Sequence, residues 1–294
     1  LAHVARMDPT VDGDLERMLG VAVPTRAEME EIEVSSRLYA EDGALYMTAQ
    51  VQVRSDSASP QLTPITFILA GSRLATVRYD TPKSFEIYRL RAERPGFGLE
   101  DGRDVLLGLL ETVVDRLADA LERVGGDIER LSAEVFRSRR EREKGLEEAI
   151  NAISRQGAAV ARAEESIVSL ARLFHFLSEH AGRDRFSPDG QARLVTLDHD
   201  ARSLAEHAKS LDAKVNFLLS GTLGLVALEQ NTIVKIFSVL AVVFMPPTLI
   251  ASIYGMNFQA MPELAKPWGY PMALGLMIAS VATTFAVFKW KRWL

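Results

Sequence analysis

IFSVLAVVFMPPTLIASIYGMNFQAMPELAKPWGYPMALGLMIASVATTFAVF, residues 236–288, decides the architecture of this 294-residue chain. It holds two runs without a charged side chain, Ile236–Tyr254 and Tyr270–Phe288, each 19 residues long. As a helix, each run measures about 28 Å, against a bilayer hydrocarbon core of ~30 Å. No other stretch is apolar enough to span a membrane. The chain therefore reads as a large water-soluble body ending in one helical hairpin through a bilayer. The hairpin's tip carries the polar tetrapeptide Tyr254-Gly255-Met256-Asn257.

The flanks set an orientation. Lys289-Trp290-Lys291-Arg292-Trp293-Leu294 places three cations and two interfacial tryptophans just after the second run. By the positive-inside rule this end is cytoplasmic. The loop 255–269 has only Glu263 and Lys266 as charges and is expected outside. Residues 1–30 show no basic-then-apolar leader, so the 235 residues before the first run are expected in the cytosol, with both termini inside. Beginning at Leu1 rather than Met, the chain is expected to lack a few N-terminal residues.

Composition narrows the function classes. There is no cysteine, which excludes disulfides and thiolate chemistry. The net charge is −5, and the basic stretch Arg137–Arg142 is interrupted by Glu141, so no nucleic-acid partner is expected. His175, His180, His199 and His207 lack the spacing of a one-face metal site. Neither a nucleophile motif nor a phosphate-binding loop is evident, and an enzyme is not expected.

The soluble body begins with short helices. Asp8-Pro9 opens one running to about Leu19-Gly20, and Thr25-Arg26-Ala27-Glu28 fits a capping box. Ala44–Arg54, Leu62–Ala70 and Arg73–Tyr79 read as strands, with Gly71-Ser72 turning a hairpin, so residues 1–95 form a small α/β layer. Asp104–Arg142 and Lys144–His180 read as long amphipathic helices, with Gly125-Gly126 a weak point in the first. Ser187-Pro188-Asp189 then starts a helix that, unbroken to Tyr254, has 67 residues and a length of roughly 100 Å.

That helix carries two patterns. Leu194, Leu197, Ala201, Leu204, Ala208, Leu211, Val215, Leu218, Thr222 and Leu225 form a heptad seam, which fits packing on the chain's own helices or self-association. Asn231, Ser238, Met245 and Ser252, interleaved with Val234, Ala241, Thr248 and Gly255, form a small or polar stripe. Lipid rejects polar groups, so the stripe faces protein or water, either as tight helix packing or as a pore built by an oligomer. Pro246-Pro247 frees the carbonyls of Val242 and Val243, which a hydrated pore or a simple kink would accommodate. The loop offers amides and carbonyls rather than a carboxylate cage. Mg²⁺ dehydrates reluctantly, and such neutral groups suit an ion held through its water shell.

Placed between two apolar spans, Tyr254-Gly255-Met256-Asn257-Phe258 resembles the signature of the CorA family of divalent-cation (magnesium/cobalt) transport proteins. The resemblance extends to Glu229-Gln230-Asn231, Phe244-Met245-Pro246-Pro247-Thr248, Met261-Pro262-Glu263-Leu264, Trp268-Gly269-Tyr270-Pro271 and the basic tail. Thr25–Arg37 and Lys214-Val215-Asn216-Phe217 resemble the bacterial magnesium-transport branch. The match is continuous from about residue 210 to the end and patchier before.

The resemblance implies an α+β cytosolic domain with a long helical stalk and two transmembrane helices, assembled as a funnel-shaped homopentamer in the cell membrane. Its segments would be 1–187 (cytosolic domain), 188–235 (stalk), 236–254 (pore-lining span), 255–269 (external loop), 270–288 (second span) and 289–294 (basic tail). It implies passive influx of hydrated Mg²⁺, and often Co²⁺ or Ni²⁺, with no cofactor and with closure by cytosolic Mg²⁺. Gly255, Met256 and Asn257 would form the filter, and Asn231, Ser238, Met245, Thr248 and Ser252 would line the pore. Glu263 would stand at the mouth, and Lys289, Lys291 and Arg292 would form a basic collar. Asp198 and Asp200 are candidates for the regulatory metal site. A zinc transporter on the same scaffold and a membrane-anchored coiled-coil scaffold or sensor are the alternatives.

Overall fold

A computed structural model describes residues 2–4, 16–17, 20–54, 60–94, 101–137, 145–180, 186–256, 261–263 and 266–291. The chain divides into two compact units, Leu1–Thr222 and Leu223–Leu294.

The first unit is built on a five-stranded sheet: β1 (Ala2–Val4), β2 (Leu38–Glu41), β3 (Ala44–Val53), β4 (Gln61–Ala70) and β5 (Arg73–Arg78). The spatial order is β1-β5-β4-β3-β2, antiparallel except for the parallel β1–β5 edge. The three central strands agree with the sequence reading to within a residue at each end. Gly71 (φ +61°) makes the two-residue turn between Ala70 and Arg73. The two edge strands lie beyond that reading. β2 has a local signal, because Asp42-Gly43 takes positive φ at both positions (47° and 80°), a type I′ hairpin. β1 has only three residues and depends on its pairing with β5.

One face of the sheet packs Ala44, Tyr46, Ile68, Ala75 and Val77 against Val21 and Met29. Met29 belongs to α1 (Arg26–Glu30), which is followed by α2 (Val34–Arg37). The expected capping box is present. The Thr25 N–H donates to Glu28 Oε2 at 2.7 Å, and the Glu28 N–H donates to Thr25 Oγ1 at 3.4 Å. Asp8-Pro9 lies outside the described residues. Glu16 and Arg17 are helical, and Gly20 (φ +73°) donates to the Glu16 carbonyl at 2.7 Å.

The other face is covered by α3 (Lys83–Ala92), α4 (Gly102–Val135) and α5 (Leu146–His180). Where β2 has ended, Ser169 and Ser166 of α5 satisfy the N–H and C=O of Gln50 at 2.9 and 2.7 Å. Gln50 therefore turns away from its β4 partner Pro64, which has no N–H to give. Gly102 admits α4 to the β4–β5 turn: its N–H donates to the Ser72 carbonyl at 2.8 Å, and a Cβ would lie 2.6 Å from Leu74 N.

α4 runs unbroken through Gly125 and Gly126, which corrects the weak point read from the sequence. A glycine costs a helix about 1 kcal/mol, and packing along the helix outweighs it. A Cβ at Gly125 would already stand 3.4 Å from Leu211. α4 also stops at Val135 rather than Arg142, with Phe136 as its C-cap. Phe136 lies over Gly221, where a Cβ would come within 2.9 Å of its ring, and its centroid is 6.1 Å from that of Phe217.

The last helix of this unit begins at Pro188, and α6 (Pro188–Tyr254) has the expected 67 residues. Eight of the ten seam residues are buried within the single chain, and Leu204 and Leu225 are half-buried. Packing on the chain's own helices is thus the observed use of the seam. An Arg193 fork fastens the start of α6 to α4, with Glu111 Oε1 and Oε2 at 2.7 and 2.9 Å and Asp104 at 3.7 Å. Tyr88 of α3 stands above Gly108 in the same region, and burial pushes its phenol up to about 12.

Candidate functional site

The second unit consists of the end of α6 and of α7 (Gly269–Trp290), and both helices are long and apolar enough to cross a membrane. Their surfaces are exposed in the single chain. Phe237, Met245 and Ile278 are each at least 67% exposed, an arrangement that requires lipid or further protein around it.

Along α6 the stripe residues Asn231, Ser238, Met245, Thr248 and Ser252 are all exposed. Thr248 Oγ1 donates to the Phe244 carbonyl at 2.7 Å. Its proton is thereby committed, and the oxygen keeps its lone pairs for outside donors. Pro246 and Pro247 sit inside the helix without ending it.

The helix closes at Tyr254, where the Gly255 N–H donates to Ala251 O at 2.9 Å and the Met256 N–H to Ile253 O at 3.3 Å. Gly255 does not take positive φ. Its use is close approach, since a Cβ would stand 3.0 Å from the Ala251 oxygen. Gly255 and Met256 are exposed at the end of the stripe, and Asn257 lies outside the described residues.

Glu263 contributes through its backbone. Its carbonyl accepts from Lys266 N–H at 3.2 Å, and the Lys266 carbonyl accepts from Gly269 N–H at 3.1 Å. A Cβ on Gly269 would come 2.1 Å from the Glu263 oxygen, so only glycine fits where the loop turns into α7. Periodicity does not reveal this constraint; the local signal is a glycine at the junction of loop and apolar run.

The remaining candidates are separate from the stripe. Lys289 is in the last turn of α7, Lys291 is its C-cap, and Arg292 lies outside the described residues. Asp198 is half-buried and pairs with Arg202 at 2.8 Å, at the edge of an open apolar groove between α5 and α6. Asp200 is exposed and faces elsewhere, because two residues on a helix differ by about 200°. Its charge helps raise the carboxyl of Asp115, which burial raises first and Arg91 opposes. The two aspartates do not converge, and no group of three metal-ligating side chains is found among the described residues.

An α+β unit, a helix of 67 residues and a second apolar helix, the last two long and apolar enough to cross a membrane and with small and polar groups exposed along the first, fit the class of two-span membrane proteins. More particularly, the chain belongs to the CorA-like Mg2+ transporter protein family, whose family model matches residues 2–292. Magnesium transport protein CorA of Haemophilus influenzae is 33% identical over 280 residues, covering 95% of this chain and 87% of that protein. The Escherichia coli protein of the same name is 34% identical over 300 residues, covering 100% and 93%. The complete structure of the CorA magnesium transporter from Methanocaldococcus jannaschii matches with a TM-score of 0.78 at 16% identity, over 99% of this chain and 90% of that one. That likeness establishes the shared fold.

Proposed function

We propose that this chain conducts hydrated Mg²⁺ passively into the cell, as a homopentamer whose pore is lined by the stripe on α6. The observation that carries the reading is the division of that helix into two faces. Thr222 ends the buried part of the seam and Asn231 begins the stripe, nine residues later. At about 100° per residue they lie on opposite sides of the helix. The exposed residues of α6 beyond the seam include Asn231, Ser238, Met245, Thr248 and Ser252, the small and polar groups that lipid rejects. One pair of spans cannot enclose water, and five copies of the stripe around an axis can.

The chemistry suits an ion that keeps its water. Water on Mg²⁺ presents its protons outward, so the ring must accept hydrogen bonds. Thr248 Oγ1 is such an acceptor, and Gly255, Met256 and Asn257 supply backbone and amide oxygens at the outer mouth. Glu263 raises the local cation concentration there. A divalent ion entering down an inside-negative potential gains roughly 4–5 kcal/mol per 100 mV, so no nucleotide is needed. Co²⁺ and Ni²⁺ are candidate further substrates. Lys289, Lys291 and Arg292, as a basic end after the second span, support an orientation with both termini inside.

Closure by cytosolic Mg²⁺ is assigned to carboxylates at the subunit interface, with Asp198 and Asp200 as one contributor and a neighbouring copy as the other. Replacing both by alanine is expected to shift closure to higher Mg²⁺, read by protease protection or by current. Unchanged Mg²⁺ dependence removes them from the site.

The deciding experiment is Mg²⁺ uptake into vesicles by the purified protein, comparing the natural sequence with Asn257→Ala. Loss of uptake in the variant is expected. Equal uptake refutes the filter assignment, and absence of uptake in both leaves the hairpin as a membrane anchor.

A further inference from the structure

Charge is unevenly placed over residues 223–294. Five cations stand there against two carboxylates, in a chain whose net charge is −5. No carboxylate follows Glu263, and along α6 beyond Glu229 the only charge is Lys235. Lys235, Lys289 and Lys291 are all exposed, and none of them has a carboxylate partner among the described residues. Glu229 lies six residues before Lys235, about 9 Å further from the first apolar run.

Depth puts these three cations at one level. Tyr270 and Trp290, 76% and 84% exposed, stand near the two ends of α7. The 20 residues between them span about 30 Å of helix, the thickness of a bilayer's hydrocarbon core, so the two rings mark the two headgroup borders. Lys289 and Lys291 flank Trp290 at one border. Lys235 precedes Tyr254 by 19 residues of α6, about 28 Å, and reaches the same border from the first span. Ammonium groups at that depth attract headgroups of net negative charge, whose phosphodiester oxygens accept from the ammonium protons. The acyl chains of such a lipid find the exposed apolar surfaces of α6 and α7 alongside, which a free phosphate cannot use. A choline headgroup carries its own cation and is held less strongly.

We propose that Lys235, Lys289 and Lys291 form a binding site for an anionic phospholipid headgroup, of the phosphatidylglycerol or cardiolipin type, at the inner border of the membrane. The site rests on the two-span reading of α6 and α7 and gives the basic end of the hairpin a ligand.

The test uses the full-length protein in phosphatidylcholine vesicles, in chloride buffer without Mg²⁺. Trp268→Phe with Trp293→Phe leaves Trp290 as the one tryptophan, and Trp290→Phe with Trp293→Phe leaves Trp268 at the other border. Brominated phosphatidylglycerol and brominated phosphatidylcholine quench a tryptophan that they touch. Trp290 is expected to favour the anionic lipid at least about fivefold, and 1 M salt should weaken the preference. At Trp268, where Lys266 is set against Glu263, the ratio should be near one. Glutamine at all three lysine positions should bring the Trp290 ratio near one, and arginine at all three should retain it. If the glutamine variant fails to insert, Trp290 is unquenched by either lipid, and Lys235→Gln and Lys289→Gln singly should each lower the ratio. Inorganic phosphate at matched ionic strength should leave the ratio unchanged. A ratio near one with the lysines intact, an equal ratio at Trp268, a ratio untouched by glutamine, or its loss to inorganic phosphate overturns the proposal. Both reporters unquenched with the lysines intact refute the hairpin itself. Mg²⁺ uptake, read afterwards in the same vesicles, tests conduction separately.

Discussion

Replacing Thr248 by valine removes one hydroxyl per subunit from the proposed pore while nearly keeping the side chain's shape. The hydroxyl proton already goes to the Phe244 carbonyl at 2.7 Å, so what the pore loses is an acceptor. A hydrogen bond from ion-bound water to such an oxygen contributes about 1 kcal/mol net. An ion touching two subunits at that level loses about 2 kcal/mol, which slows passage roughly 30-fold. Thr283 on α7 provides a matched control, because its hydroxyl makes the same bond to the Ala279 carbonyl at 2.8 Å. In vesicles loaded with a Mg²⁺ indicator, Thr248→Val should be slow, whereas Thr283→Val and Thr248→Ser should run near the natural rate. Equal rates for Thr248→Val and the natural protein, or equal impairment by Thr283→Val, would show that the stripe does not face the ion.

Gly269→Ala drives a Cβ into the Glu263 carbonyl, whereas a Cβ at Gly275 meets nothing within 4 Å. The first substitution is expected to cost about 1–3 kcal/mol locally and lower uptake, and Gly275→Ala should leave uptake intact. The pH dependence comes from the tyrosines: burial pushes Tyr39 and Tyr88 up to about 12 in the folded protein. The unfolded chain releases those protons near 10, so their contribution to stability is full below pH 10 and declines as pH rises towards 12. Tyrosinate absorbance should show Tyr39 and Tyr88, together with Tyr46, which burial also raises, ionising late among the six tyrosines, and chemical-denaturation midpoints should fall over the same interval.

The parts of this molecule legible in the sequence are those whose signal is local. The central strands show as runs of Val, Ile, Thr and Phe between turn residues, and Thr25 and Glu28 show as a capping box because both partners lie within one helical turn. Propensity misleads at Gly125-Gly126, where contact with Leu211, far along the chain, holds the helix. The three-residue strand β1 has no pattern to read, and its place depends on hydrogen bonds to Ala75–Val77. At the candidate pore, the stripe and the loop are visible as sequence. The acceptor-only state of Thr248 and the requirement for glycine at 269 appear only in the folded structure.

The sequence by itself determined that two segments are long and apolar enough for a bilayer, that a polar tetrapeptide lies between them, and that one long helix carries both a seam and a stripe. Each follows from hydropathy and from a period of about 3.6 residues, which need no distant partner. Only the tertiary structure decided which of the two patterns is covered by the chain's own helices. It also brought Arg54, Lys83 and Arg116 to one cleft and set Gly102 and Gly269 where no side chain fits. These depend on surfaces brought together from far apart in the chain, and packing at that range leaves no periodic trace in either segment alone.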